Sequence, residues 1–277
     1  MAGTIIYYFS GTGNSLHVAR ELKRRLPEAR LQSILSVIKS EEPALGADTI
    51  GLVFPVYLNS IPEPVRSFIR KIKALPVKYF FAVSTNCGYP GEVDYLTYNI
   101  LKLNDLNLNY YASLKMLINT PTGLMPAIFA NKKWMEIAGA EKAAERLPEI
   151  HKELDQIAGE IINRVSNIKP GRKPNFFRRI LLALTEHLSP IEKTKSIPFS
   201  VDHDCNSCGT CEKVCLSGKI VMSGDKPEWL EHTQCYFCYA CFNYCPQQAI
   251  LVKGYNYKTG RYSHPGISAT DIAEQKE

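Results

Sequence analysis

Eight of the nine cysteines in this chain of 277 residues fall into two sets with one internal spacing: Cys205, Cys208, Cys211 and Cys215, then Cys235, Cys238, Cys241 and Cys245. Each set reads CxxCxxCxxxC, and Pro246 follows the second. Thiolates at that density are metal ligands or disulfide partners. Zinc takes a closed set of four N or S donors, usually from two CxxC pairs well separated in sequence, which leaves the third and fourth cysteines of each set without a role. Disulfides belong to oxidising compartments, and no signal-peptide pattern precedes the first predicted strand. Iron–sulfur ligation accounts for all eight. Three thiolates two residues apart can wrap a short loop around three corners of a [4Fe-4S] cube, while the fourth, displaced by a turn, points elsewhere.

The double run resembles the two-cluster ferredoxins of bacteria. That resemblance implies that the fourth cysteine of each set ligates the other cluster. One cluster would take Cys205, Cys208, Cys211 and Cys245, and the second Cys235, Cys238, Cys241 and Cys215. It also implies two clusters close enough to exchange an electron. One position departs from the family: Leu216 follows Cys215 where Pro is usual, as in Cys245 with Pro246, and this bears on the local loop rather than on ligation.

A second stretch with chemistry in it is Ser10-Gly11-Thr12-Gly13-Asn14-Ser15, between a β-branched, aromatic run (Gly3 to Phe9) and an amphipathic stretch (Leu16 to Leu26). Hydroxyls, glycines and a helix N-terminus, with no Lys or Arg, suit an anion held by backbone N–H groups, such as a terminal phosphate monoester. A P-loop would need Lys followed by Ser or Thr, and the dinucleotide fingerprint a third glycine where Leu16 stands. The loop resembles the phosphate loop of flavodoxins, (S/T)xTGx(S/T), through Ser10, Thr12, Gly13, Asn14 and Ser15. The resemblance implies FMN rather than FAD. It assigns the flavin ring to two further loops: Pro55, Val56, Tyr57 and Asn59 after one predicted strand, and Thr85, Asn86, Cys87, Gly88, Tyr89 and Gly91 after the next. Tyr57 and Tyr89 are the candidates for ring contacts, with loop packing as the alternative for each. Cys87 reads as a small residue beside the ring, since no second cysteine or neighbouring His activates it.

These loops need a scaffold that brings strand ends together. Strands are expected at Gly3–Phe9, Ala29–Ile34, Thr49–Phe54, Tyr79–Ser84 and Leu108–Ile118, with helices at Leu16–Leu26, Pro64–Ala74, Glu92–Leu103 and within Lys132–Val165. That alternation predicts an α/β fold with a doubly wound parallel sheet of five strands. In flavodoxin-like order 2-1-3-4-5 the ligand sits at the ends of strands 1 and 3. The expected layout is a flavodoxin-like FMN domain over 1–167, a linker over 168–197, a small α+β two-cluster ferredoxin domain over 198–253 and a tail over 254–277. In the linker, Phe176, Phe177, Ile180, Leu181, Leu184 and Leu188 share a helical face opposite Arg178 and Arg179, which suits packing between domains or a peripheral membrane contact. In the tail, Tyr255, Tyr257, Tyr262, His264 and Pro265 can pack back on either domain.

Composition excludes several classes. Hydrophobic content of 45% is ordinary, and no window approaches a spanning helix. Of the formal charge of +6, none comes from the cysteine module: residues 198–253 carry 4 Lys and Arg against 6 Asp and Glu. No module concentrates basic residues with aromatics, so nucleic acid is not an expected partner. The whole arrangement resembles fused flavodoxin and ferredoxin proteins of anaerobes, which implies a cytoplasmic electron carrier between redox partner proteins, with FMN and two [4Fe-4S] clusters converting two-electron into one-electron transfer. The alternative is a flavin-dependent oxidoreductase whose ring is open to a small acceptor. No catalytic acid–base pair marks such a substrate.

Overall fold

A computed structural model of the chain describes residues 3–39, 46–72, 77–119, 140–168, 197–252 and 261–277. The expected Thr120–Pro126 loop, the helix start at Lys132, the Pro- and Gly-bearing break at Lys169–Pro174, the amphipathic stretch Phe176–Leu188, and Tyr255 and Tyr257 lie outside these residues.

Five parallel strands, β1 (Thr4–Tyr8), β2 (Ala29–Ser33), β3 (Thr49–Pro55), β4 (Tyr79–Asn86) and β5 (Tyr110–Lys115), form one sheet in the order β2-β1-β3-β4-β5. This is the flavodoxin-like order that the strand–helix alternation predicts. The sheet is covered on both sides because side chains alternate along each strand. Ile5, Tyr7, Phe9, Ile50, Leu52 and Phe54 pack with Val65 and Phe68 of α3 (Glu63–Lys71) and Leu101 of α4 (Val93–Lys102). The short α2 (Ile34–Val37) lies on the same side. Ile6, Val53, Phe81 and Val83 pack instead with Val18 and Leu22 of α1 (Asn14–Arg25) and with Ile150, Leu154, Ile157 and Ile161 of α5 (Ala140–Ile162). The register pairs Tyr8 with Val53 and Pro55 with Thr85, so β1, β3 and β4 end level and their following loops share one edge. β5 stops at Lys115, short of the expected Ile118, and Asn167 covers its outer edge with bonds to the Tyr111 N–H and C=O of 2.9 and 2.8 Å.

The cysteine-rich part pairs β6 (Phe199–Val201) with β9 (Ile250–Val252) and β7 (Ile220–Ser223) with β8 (Lys226–Trp229), both antiparallel, with one-turn helices α6 (Thr210–Lys213) and α7 (Ala240–Asn243) between them. After residue 261 the chain returns to the first domain, where α8 (Ala269–Ala273) carries a Ser268–Asp271 capping box and runs into a 3₁₀ turn, Glu274–Lys276. Val214, Leu216, Ala240, Ile267 and Ile272 belong to the same apolar cluster as Phe9, Phe54 and Phe68, so the core runs unbroken from the sheet into the C-terminal part.

Candidate functional site

The two cysteine sets lie thirty residues apart, and their backbones repeat with the sequence. Ser207 and Phe237 have φ of 60° and 57°, Gly209 and Tyr239 have 70° and 55°, and Gly218 and Gln248 have 69° and 53°. Left-handed φ is costly for side chains as bulky as Phe and Tyr, about 1–3 kcal/mol each, and is kept where the local shape matters more than local comfort. The third cysteine of each set, Cys211 or Cys241, then enters its one-turn helix. The departure at Leu216 leaves this shape intact. Gly218 N–H reaches Cys215 O at 3.1 Å as Gln248 N–H reaches Cys245 O at 3.0 Å, and Leu216 is buried in the common core, whereas Pro246 is exposed.

None of the nine cysteines is in a disulfide. Burial pushes the Cys211 thiol up to about 11, reinforced by Cys245 and Cys208, and pushes Cys238 up to about 12, reinforced by Cys235 and Cys215. Cys241 is driven well up by burial, then by Cys238, Cys235 and Cys215, with Cys211 weakest. Cys245 thus acts on Cys211 of the first set, and Cys215 on Cys235, Cys238 and Cys241 of the second. Buried thiolates need a positive counterpart, and iron is one. Two sulfur acceptors are also served, Cys235 Sγ by Phe237 N–H at 3.4 Å and Cys245 Sγ by Ala249 N–H at 3.3 Å, while Cys208 Sγ donates to Thr210 Oγ1 at 3.3 Å. Among the described residues no three His, Cys, Asp or Glu converge as on a single ion. A cube asks for something different, since each thiolate binds its own iron at a separate corner. The cysteines fit two such cubes.

The Ser10–Ser15 loop follows β1 and leads into α1 through Gly13, whose φ of 99° is left-handed. Ser10, Thr12, Asn14 and Ser15 are buried, and the first turn of α1 has no acidic residue. Among the described residues the backbone N–H groups of Thr12, Asn14 and Ser15 have no acceptor. The hydroxyls are oriented to donate. Ser10 Oγ accepts from Gly13 N–H at 3.2 Å and Thr12 Oγ1 from Asn119 Nδ2 at 2.8 Å, which leaves both hydroxyl protons free, while Ser15 Oγ and Thr85 Oγ1 share a bond of 2.8 Å. These donors at the start of a twelve-residue helix suit a phosphate.

The other two loops touch each other, because a side chain at Gly91 (φ 66°) would meet Asn59 Cβ at 3.0 Å. Pro55 ends β3, Val56 N–H bonds Thr85 O at 2.8 Å, and Asn86 turns its side chain back on Gly88 N–H at 2.7 Å. Tyr89 stands 48% exposed in its loop, and Leu58 54% in the other. Cys87 is half-buried and burial pushes its thiol up, which fits a resting thiol. Tyr57 goes the other way. Its ring turns inward edge-on to Phe9, and its hydroxyl meets Gly11 next to Cys238. Burial, and after it the Cys238 charge, holds its pKa well above the ordinary value. The Ser10–Ser15 loop and the second cysteine set are thus in direct contact: a side chain at Gly11 would strike Cys238 Cβ and the Tyr57 hydroxyl, each at 2.5 Å.

Sequence reasoning did not assign the residues that close this loop from the far end of the chain. The Gln275 side chain pairs with both backbone groups of Ser10, accepting from its N–H and donating to its C=O, each at 2.9 Å. Tyr262 donates to Asn14 Oδ1 at 2.9 Å, His264 N–H bonds Thr12 O at 2.8 Å, and Asp271 pairs with Arg20. His264 stacks on His17 at 4.1 Å between ring centroids. The Arg261 guanidinium donates to the carbonyls of Phe242, Gln248 and Ile250 and lies over the Phe242 ring, which ties the same segment to the cysteine module. Only the aromatic cluster Tyr255–His264 hinted at this return.

Among protein families, a 4Fe-4S dicluster domain matches residues 204–250. No curated protein matches the chain. Among solved structures, a flavoprotein from Lactobacillus acidophilus in complex with FMN is 14% identical with a TM-score of 0.32, over 41% of this chain and 93% of that one. A short-chain flavodoxin associated with a bacterial microcompartment is 12% identical with a TM-score of 0.37, over 60% and 99%. A flavodoxin, WrbA-like protein from Agrobacterium tumefaciens is 15% identical with a TM-score of 0.34, over 59% and 99%. By its strand order and its matched cysteine module, the chain joins a flavodoxin-like fold to a 4Fe-4S dicluster domain at residues 204–250.

Proposed function

We propose that this chain is an electron-transfer protein that holds FMN at the ends of β1, β3 and β4 and two [4Fe-4S] clusters in its cysteine module, and that it exchanges electrons with redox partner proteins. The observation that carries the proposal is the contact between Gly11 and Cys238, which sets the phosphate loop against a cluster ligand with no intervening element. Bound there, FMN supplies two-electron chemistry in single steps and each cluster supplies one-electron exchange. The chain's part is placement. Thr12, Asn14 and Ser15 N–H groups and the Ser10 and Thr12 hydroxyls receive the phosphate, the Val56–Asn59 and Asn86–Gly91 loops flank the ring, and the eight cysteines hold iron.

Anaerobic purification is expected to yield about eight iron and eight sulfide per chain with acid-released flavin running as FMN. Rapid mixing with a flavin-specific reductant at several protein concentrations then tests the wiring. Cluster reduction at a rate independent of concentration supports transfer within one chain, and a rate proportional to concentration refutes it. A second reading, a flavin-dependent oxidoreductase acting on a small acceptor, draws on the exposure of Leu58 and Tyr89 together beside the presumed ring. Saturable turnover with a quinone or nicotinamide and no partner protein would favour it. Among the described residues no helix is long and apolar enough to cross a membrane.

A further inference from the structure

The junction between the phosphate loop and the second cysteine set leaves one buried polar atom unsatisfied. Tyr57 is 9% exposed, and its hydroxyl proton has no acceptor. The ring is held inward. Tyr57 and Ser60 exchange both backbone bonds, at 3.1 and 2.9 Å, across a tight turn in which Leu58 and Asn59 are left-handed at φ 50° and 58°. Arg66 fixes Ser60 Oγ at 2.9 Å, and Asn59 is wedged beneath Gly91.

A buried hydroxyl proton without an acceptor is costly, so one that persists finds its acceptor in the working protein. Its surroundings narrow the choice. Phe9 is apolar and Gly11 offers its N–H side, a donor. Cys238 crowds the same point above Gly11 that the hydroxyl occupies. A cysteine sulfur is a weak acceptor as a thiol and a strong one as an iron-bound thiolate. We propose that Tyr57 donates its hydroxyl to the Cys238 thiolate once that cysteine holds iron, so that a residue of the flavin loop tunes the cluster facing it. The inference rests on the cluster reading above. Hydrogen bonds to cluster sulfurs favour the more electron-rich, reduced form and raise the potential. Tyr57 thereby eases electron entry into the cluster held by Cys215, Cys235, Cys238 and Cys241, and makes it the one coupled to the flavin loop.

The test uses the full chain, purified anaerobically. Tyr57→Phe removes the hydroxyl and keeps the ring. Redox titration followed by electron paramagnetic resonance is expected to show one cluster potential lowered and the other unmoved. Cys238→Ser, which alters the signal of its own cluster, identifies which one moved. Loss of about half the iron from Tyr57→Phe with flavin retained also supports the assignment. It is overturned if both potentials are unchanged, whether or not flavin affinity falls, if the shift falls on the signal that Cys238→Ser leaves intact, or if iron and flavin are lost together, which would make Tyr57 a packing residue. A parent protein without iron–sulfur signals would instead refute the cluster reading, before any variant is made.

Discussion

At Gly11 a hydrogen stands where any other residue would place a carbon 2.5 Å from Cys238 Cβ and 2.9 Å from Cys238 O. The second of these is backbone and cannot rotate away, so the modules would have to part. Gly11→Ala is expected to destabilise the protein by about 1–3 kcal/mol, read as a lowered denaturation midpoint. It should also weaken flavin binding, and an unshifted midpoint would show that the contact does not form. His264 carries a different consequence. Burial, then the neighbouring His17, lowers its pKa to about 4, with Glu21 opposing. Its Nδ1 accepts from Gly266 N–H at 3.1 Å, which only the neutral ring can do. The unfolded chain takes up a proton near pH 6.5 while the folded one refuses it until about 4, so stability is full above 6.5 and is lost as pH falls through that window. The loss is up to about 3 kcal/mol. Melting temperatures from pH 8 to 5 should therefore fall for the parent and fall less for His264→Gln. The dicluster module with its eight cysteines was readable from sequence because a cluster loop is a local object whose spacing is its geometry. Gly11 and His264 were not, since each owes its role to residues more than two hundred positions away.

Among the elements, the central strands β1, β3 and β4 were legible because both faces of each are buried, which writes apolar runs into the chain. Strand ends were less so, as at β5, which runs only from Tyr110 to Lys115 within the expected Leu108–Ile118. The C-terminal segment was least legible. Its contacts are made by ordinary polar residues, among them Gln275, whose amide closes on Ser10 across 265 positions. Gln275→Ala leaves the buried N–H and C=O of Ser10 without partners, which costs about 1–3 kcal/mol and frees the loop. The expected result is a flavin affinity reduced by about tenfold with iron content unchanged. Lys39→Ala, which removes only an exposed bond to Lys276 O, is expected to stay within about 0.5 kcal/mol of the parent. Equal effects of the two changes would remove Gln275 from the flavin site.

On the scale of the molecule, the cysteine module cannot stand on its own apolar residues. Its inner cluster is Ile197, Ile220, Phe242, Ile250 and Val252 with Cys211, Cys215 and Cys241, a core in which the ligands themselves are structural members. Domains this small are held by metal or by a neighbour. Here the neighbour is visible, since Val214, Leu216 and Ala240 pack into the core of the parallel sheet and Arg261, Tyr262 and Gln275 bind the two parts across the chain. A continuous core unfolds as one cooperative unit. The loaded protein is therefore expected to lose cluster absorbance, flavin and far-ultraviolet dichroism at one denaturant concentration. Two separated transitions would mean that the modules are merely tethered. Linkage gives the same expectation a second form, because iron bound to the folded state stabilises everything that folds with it. Removal of iron by an anaerobic chelator should lower the midpoint of the parallel-sheet half as well, and an unmoved midpoint there would show that the shared core carries no coupling between the two parts.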